Sequence, residues 1–144
     1  MYNNQTISGQ DVELIDVNLA PIFFKIDREG ELVAGEAIQP ESASMAYRRF
    51  LTLRKRYPHK TLVPSALLDL IWHYHILDTR KYMDDCERIF GYYVHHDPYF
   101  GTQDEEDKRE NELAWEETRR LWFEEFGEPM TGARSHRCST KDCR

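Results

Sequence analysis

The chain reads as an all-α protein: a single compact domain of four or five helices with a mobile C-terminal tail. Three observations predict this. Apolar residues recur at offsets of three and four along most of the chain, proline and glycine stand where helices start and stop, and the connections are short. The composition shifts after Glu128-Pro129, which divides the chain into a helical domain over 10–129 and a flexible, cysteine-containing tail over 130–144.

Residues 1–10 are polar, as a frayed terminus is. Ile15, Leu19, Ile22, Phe23 and Ile26 then follow helical spacing, with Asn18 as a cap and Pro21 in the first turn. A strand over 22–26 competes, because that run is β-branched and aromatic. Asp27-Arg28-Glu29-Gly30 ends the element, and 31–39 reads as loop. Pro40-Glu41 opens a helix with the stripe Ala43, Ala46, Tyr47, Phe50, Leu53 and Tyr57, which Pro58 stops. Its basic run, Arg48-Arg49…Arg54-Lys55-Arg56, reads as a solvated face.

Ser65 caps the central helix, whose inward face is Leu67, Leu68, Ile71, Trp72 and His75. Asp78 restarts the chain as the cap of the next helix, with Leu77 and Tyr82 at hydrophobic-staple spacing. That helix turns Tyr82, Cys86, Ile89 and Phe90 inward and is expected to reach Val94. An acidic stretch, 104–107, leads into a last helix carrying Ala114, Trp115, Thr118, Leu121, Trp122 and Phe126, and Gly127 ends it.

Bulk properties narrow the function classes. A net charge of −7 with pI ≈ 5.4 argues against a general grip on nucleic acid or anionic membrane. No apolar run has membrane-spanning length and no signal peptide is visible, so a cytoplasmic location is expected. Three cysteines in two separated groups make no disulfide framework. No phosphate loop, nucleophile elbow or His-Glu-x-x-His is present.

Chemistry-bearing residues concentrate between 69 and 97, where four of the six histidines lie. His73 and His75, two apart, fall on opposite helix faces, about 200° apart, and do not chelate one ion on an unbroken helix. Asp69 and His73, four apart, share a face, and a carboxylate there orients an imidazole. His75, Tyr82 and Cys86 line one inward stripe if the helix runs on; a break at Asp78 moves Cys86 away. His95 and His96 point to different sides of any regular element, so at most one joins a shared site. Antiparallel packing of the central helix on the next one would bring His73 or His75 to His96. The candidate metal ligands are therefore His75, His96, His73 and Asp69, with Asp78, Tyr82, Asp85, Cys86 and His95 as accessory groups. Imidazole with carboxylate suits Zn, Fe or Mn. In the tail, His136, Cys138 and Cys143 form a soft-ligand cluster that matches zinc fingers poorly.

The phrase Val63-Pro64…Leu68-Asp69…Trp72-His73-Tyr74-His75-Ile76-Leu77-Asp78-Thr79…Tyr82…Asp85-Cys86 resembles the domain shared by glycine-rich domain-containing proteins. His95-His96-Asp97-Pro98-Tyr99-Phe100-Gly101 and Phe126-Gly127-Glu128-Pro129 resemble its stand-alone bacterial branch in particular. The resemblance covers about residues 10–129 and implies an α-helical domain without fixing a reaction. Three functions follow from the residues. The first is a metal-binding domain, in the stronger form a small metal-dependent enzyme acting on an unidentified small molecule. The second is a protein-interaction module whose His, Trp, Tyr and Cys cluster is a hydrogen-bonded core. The third is a Cys–His thiol enzyme centred on Cys86.

Overall fold

A computed structural model describes residues 12–135. Five helices make up the bulk: α1 (Ala20–Arg28), α2 (Pro40–Arg56), α3 (Ala66–Leu77), α4 (Thr79–Phe90) and α5 (Glu105–Phe126), with a two-stranded hairpin, β1 (Leu32–Val33) and β2 (Glu36–Ala37), after α1. The all-α expectation holds. None of these helices is long and apolar enough to cross a membrane.

Helix α3 is the hub. It packs against α1, α2 and α4, and its middle, Leu68 to Trp72, is buried on every side. A helix apolar all round belongs inside a domain. The other helices bury single stripes: Ile22 and Ile26 from α1, Tyr47, Phe50 and Leu53 from α2, Leu121, Trp122 and Phe126 from α5. Ser65 caps α3 as expected, its Oγ accepting from the Leu68 amide. Asp104 caps α5 in the same manner, accepting from the Asp107 amide at 2.8 Å.

Four local expectations change. Residues 22–26 are helix as their spacing predicts, not the competing strand, but α1 starts one residue late, with Asn18 Oδ1 accepting from the Ala20 amide at 3.1 Å. Residues 32–37 form the hairpin rather than plain loop. Ala34 and Gly35 both have positive φ, as a type I′ turn requires, and strands of two residues leave no alternation to read. Asp78 does break the chain between α3 and α4, with ψ of 74°, but its side chain makes no cap bond. Leu77 is exposed while Tyr82 is buried, so no staple forms.

Helix α4 also stops earlier than expected. Gly91 takes the left-handed conformation, φ 80°, and its amide closes on the Cys86 and Glu87 carbonyls. Residues 92–97 leave the helix, turning Val94 and His96 inward and His95 outward. Two hydrogen bonds fasten this segment to the hub. Trp72 Nε1 donates to Tyr82 Oη at 2.8 Å, and the Tyr82 hydroxyl donates to the Val94 carbonyl at 2.6 Å. His96 is thereby fixed over the first turns of α3.

The expected boundary at 130 falls within a packed segment. Met130 is buried, Ala66 N–H donates to the Ala133 carbonyl at 2.9 Å, and Arg134 bridges to Ser65 in antiparallel fashion. The described part of the C-terminal segment closes over the start of α3.

A His–Asp cluster at a basic cleft

Asp69 and His73 project from one face of α3, and His96 reaches them from the segment after α4. One ligand atom from each of the three lies within 4.8 Å of the other two. His96 Nε2 sits 2.6 Å from Asp69 Oδ1, and the Ser135 hydroxyl donates to Asp69 Oδ2 at 2.8 Å. The His96 ring stands edge-on to Trp72 with centroids 4.4 Å apart, and edge-on to His73 at 5.6 Å. Burial raises the Asp69 pKa. The hydrogen bonds from His96 and Ser135, with the charges of His96 and His73, outweigh burial and hold the carboxyl below its ordinary range. Asp69 is thus an anion with both oxygens engaged, one by an imidazole and one by a hydroxyl that fixes its orientation.

Asp69 and His96 lie in the wall of a cleft of about 670 Å³ between the start of α3, the 95–102 segment and the start of α5. Two carboxylates, Asp69 and Asp97, face it against four basic side chains, Arg54, Lys60, Lys108 and Arg134. That balance is opposite in sign to the chain as a whole.

His75 lies elsewhere. Its Nδ1 is 2.8 Å from the Tyr47 hydroxyl and its Nε2 is 2.8 Å from Asp85 Oδ2, with the residue 1% exposed. The network assigns the tautomer: Nε2–H donates to the carboxylate and Nδ1 accepts from Tyr47. Burial pulls the His75 pKa down, partly offset by Asp85. Asp85 is itself raised by burial but lowered more by His75 and Lys81, whose Nζ is 3.0 Å away. With both nitrogens committed in the core, His75 does not share a site with His96, which corrects that expected pairing. His73, on the opposite face of α3, takes its place.

The profile of the UCP032817-like family matches residues 20–124 of this chain. The chain belongs to that family. It is also similar to glycine-rich domain-containing protein 1 of Arabidopsis thaliana, 28% identical over 113 residues. That match covers 75% of this chain and 13% of the relative, so the chain spans a small part of the longer protein. The expected resemblance to glycine-rich domain-containing proteins is borne out. No solved structure matches. The span that matches the UCP032817-like profile contains Arg54, Asp69, His73 and His96; Ser135 falls after it.

In this family member the accessory residues divide among cleft, surface and core. His95 lines the cleft and packs on Tyr93, with centroids 4.8 Å apart. Asp78 is exposed between α3 and α4. Tyr82, Asp85 and Cys86 belong to the core around His75. Cys86 is 2% exposed and does not line the cleft, so a thiol reaction there has no access. His136, Cys138 and Cys143 lie outside the described residues. Two cleft residues escaped the sequence reading. Ser135 fell in the segment read as tail. Arg54 was counted in a solvated basic run, although its i, i+4 spacing from Phe50 puts it on the inward stripe.

Proposed function

We propose that the cluster at the cleft wall is a metal site in which Asp69, His73 and His96 bind one divalent transition metal, Zn, Fe or Mn. The observation that carries this is the gathering of two imidazoles and one carboxylate, with ligand atoms within 4.8 Å, beside an open cleft. Three protein ligands leave coordination positions for a substrate, which is how catalytic sites differ from closed structural ones. The metal would replace the proton shared by His96 and Asp69, and Ser135 would hold the carboxylate from its far oxygen. Bound there, it would supply a Lewis acid to a small molecule in the cleft. The competing reading, an interaction module with a hydrogen-bonded polar core, describes the His75 half of the cluster and leaves the cleft unexplained.

Thermal melting of tag-free, EDTA-stripped protein tests the proposal. One of the three metals should raise the midpoint, by about 2.7 kcal/mol of stability at a hundredfold excess over Kd. EDTA should reverse the rise, and Asp69→Asn and His73→Ala should abolish it. A wild-type midpoint indifferent to all three metals would sink the metal site.

A further inference from the structure

Arg54 is a cation without an anion. Its guanidinium lies 5.0 Å from the Trp72 ring centroid and 6.0 Å from that of Phe50, and faces the cleft. No hydrogen bond or ion pair reaches it from the described residues, and its Nε is buried without a partner. The titratable groups that act on it most are Tyr82, Tyr92, Tyr47 and Cys86, none of them a carboxylate. Burial lowers its pKa from an ordinary value high enough that it stays charged at neutral pH.

Arg48 and Arg49 of the same basic run also bury an unbonded Nε, but unlike Arg54 the remaining arginines bond through their outer nitrogens. Arg48 donates to the Val17 carbonyl at 3.1 Å, Arg49 bonds Glu128 at 3.0 Å, and Arg56 pairs with Glu125. Elsewhere in the cleft Lys60 is held by Glu117 at 2.9 Å and Arg134 stands 3.9 Å from Glu112, while Lys108 has no ion pair among the described residues. The two cleft carboxylates are already engaged, Asp69 by His96 and Ser135, Asp97 by the Tyr99 amide at 2.9 Å.

A half-buried guanidinium stacked on an indole keeps its planar edge for bidentate bonding, the geometry that suits carboxylate and phosphate oxygens. The same indole carries His96 at 4.4 Å. Arg54 and His96 also line the same cleft, so a ligand there has both within its walls. We propose that the cleft binds a small oxyanion-bearing molecule, with its carboxylate or phosphate group on Arg54 and its other end toward Asp69 and His96. Lys108 and Arg134 add positive potential at the cleft wall. The Arg54 contact stands on its own residues; only the placement of the ligand's second end rests on the metal-site reading.

Titration calorimetry of the full chain tests this with two probes, inorganic phosphate and succinate, which distinguish the two oxyanion sources. It is run first in EDTA and then with the metal restored. At least one probe should bind saturably in EDTA. Arg54→Gln should weaken it about tenfold or more, as loss of a charged hydrogen bond does, and the exposed, cleft-remote Arg80→Gln should not. Should Arg54→Gln melt below the assay temperature, Arg54→Lys keeps the charge without the fork and should still bind more weakly than wild type. Equal affinity in wild type and the Arg54 variant, or no saturable binding of either probe, would overturn the proposal. Binding seen only with metal and indifferent to Arg54 would also overturn it, while leaving the metal site standing.

Discussion

The hub helix carries two His–Asp pairs built alike and surrounded differently. His75 with Asp85 and His96 with Asp69 are 2.8 and 2.6 Å apart, each joining α3 to the chain that follows it. Around His75 the second nitrogen is taken by Tyr47 and Lys81 balances the carboxylate, so every polar atom has a use inside the core. Around His96 a second imidazole stands within ligand distance and an open, basic cleft adjoins the pair. Under the metal-site proposal, the same kind of pair is a structural element in one setting and a binding site in the other. What separates them is the setting of the imidazole: protein encloses His75, whereas His96 lines the cleft.

Removing Trp72, which belongs to both regions, is expected to have the largest effect. It is 4% exposed, donates to Tyr82, and lies under both Arg54 and His96. Trp72→Ala should cost about 3–5 kcal/mol, read as a chemical-denaturation midpoint on metal-free protein. His75→Ala comes next. It strands the Tyr47 hydroxyl and removes one partner of Asp85 in the core, at about 2–4 kcal/mol. A His75→Ala variant as stable as wild type would show that this network is not the structural half of the comparison.

Ending the chain after Glu128 should cost about 1–3 kcal/mol, a fall of several degrees in Tm. It removes the buried Met130 and the Ser135 bond to Asp69. An unchanged Tm would mean that these contacts contribute nothing. A smaller effect concerns acid. Asp85 is held below its unfolded pKa, so it contributes stability above about pH 4 that is lost as the pH falls through its folded value. Asp85→Asn should flatten that part of the acid limb in a pH series of melting curves. A limb of unchanged slope would assign the loss to other carboxylates.

Much of this was legible in the sequence. Pro40, Pro58 and Ser65 bounded α2 and the start of α3 because they act locally, through a fixed φ or a side-chain cap. Asp69 and His73 could be paired from i, i+4 spacing alone. Choosing between His73 and His75 as the partner of His96 could not be done locally, because they occupy opposite faces of a helix buried all round. Only the path of residues 92–97 decides which face His96 meets, and that path depends on Gly91 ending α4 and on the Trp72–Tyr82–Val94 hydrogen bonds. Ser135 was illegible for a similar reason: it meets Asp69 across 66 positions, through a segment with no periodic pattern.

The central claim is that the His96 pair holds a metal and the His75 pair does not. Metal counted per chain by elemental analysis of tag-free protein tests it most directly, across wild type, His96→Ala and His75→Ala after equilibration with Zn, Fe or Mn and removal of excess. One of these metals should be retained near one per chain by wild type and by folded His75→Ala, and His96→Ala should lose at least tenfold in affinity. Equal retention by wild type and His96→Ala, or loss in His75→Ala while His96→Ala keeps its metal, would contradict the account.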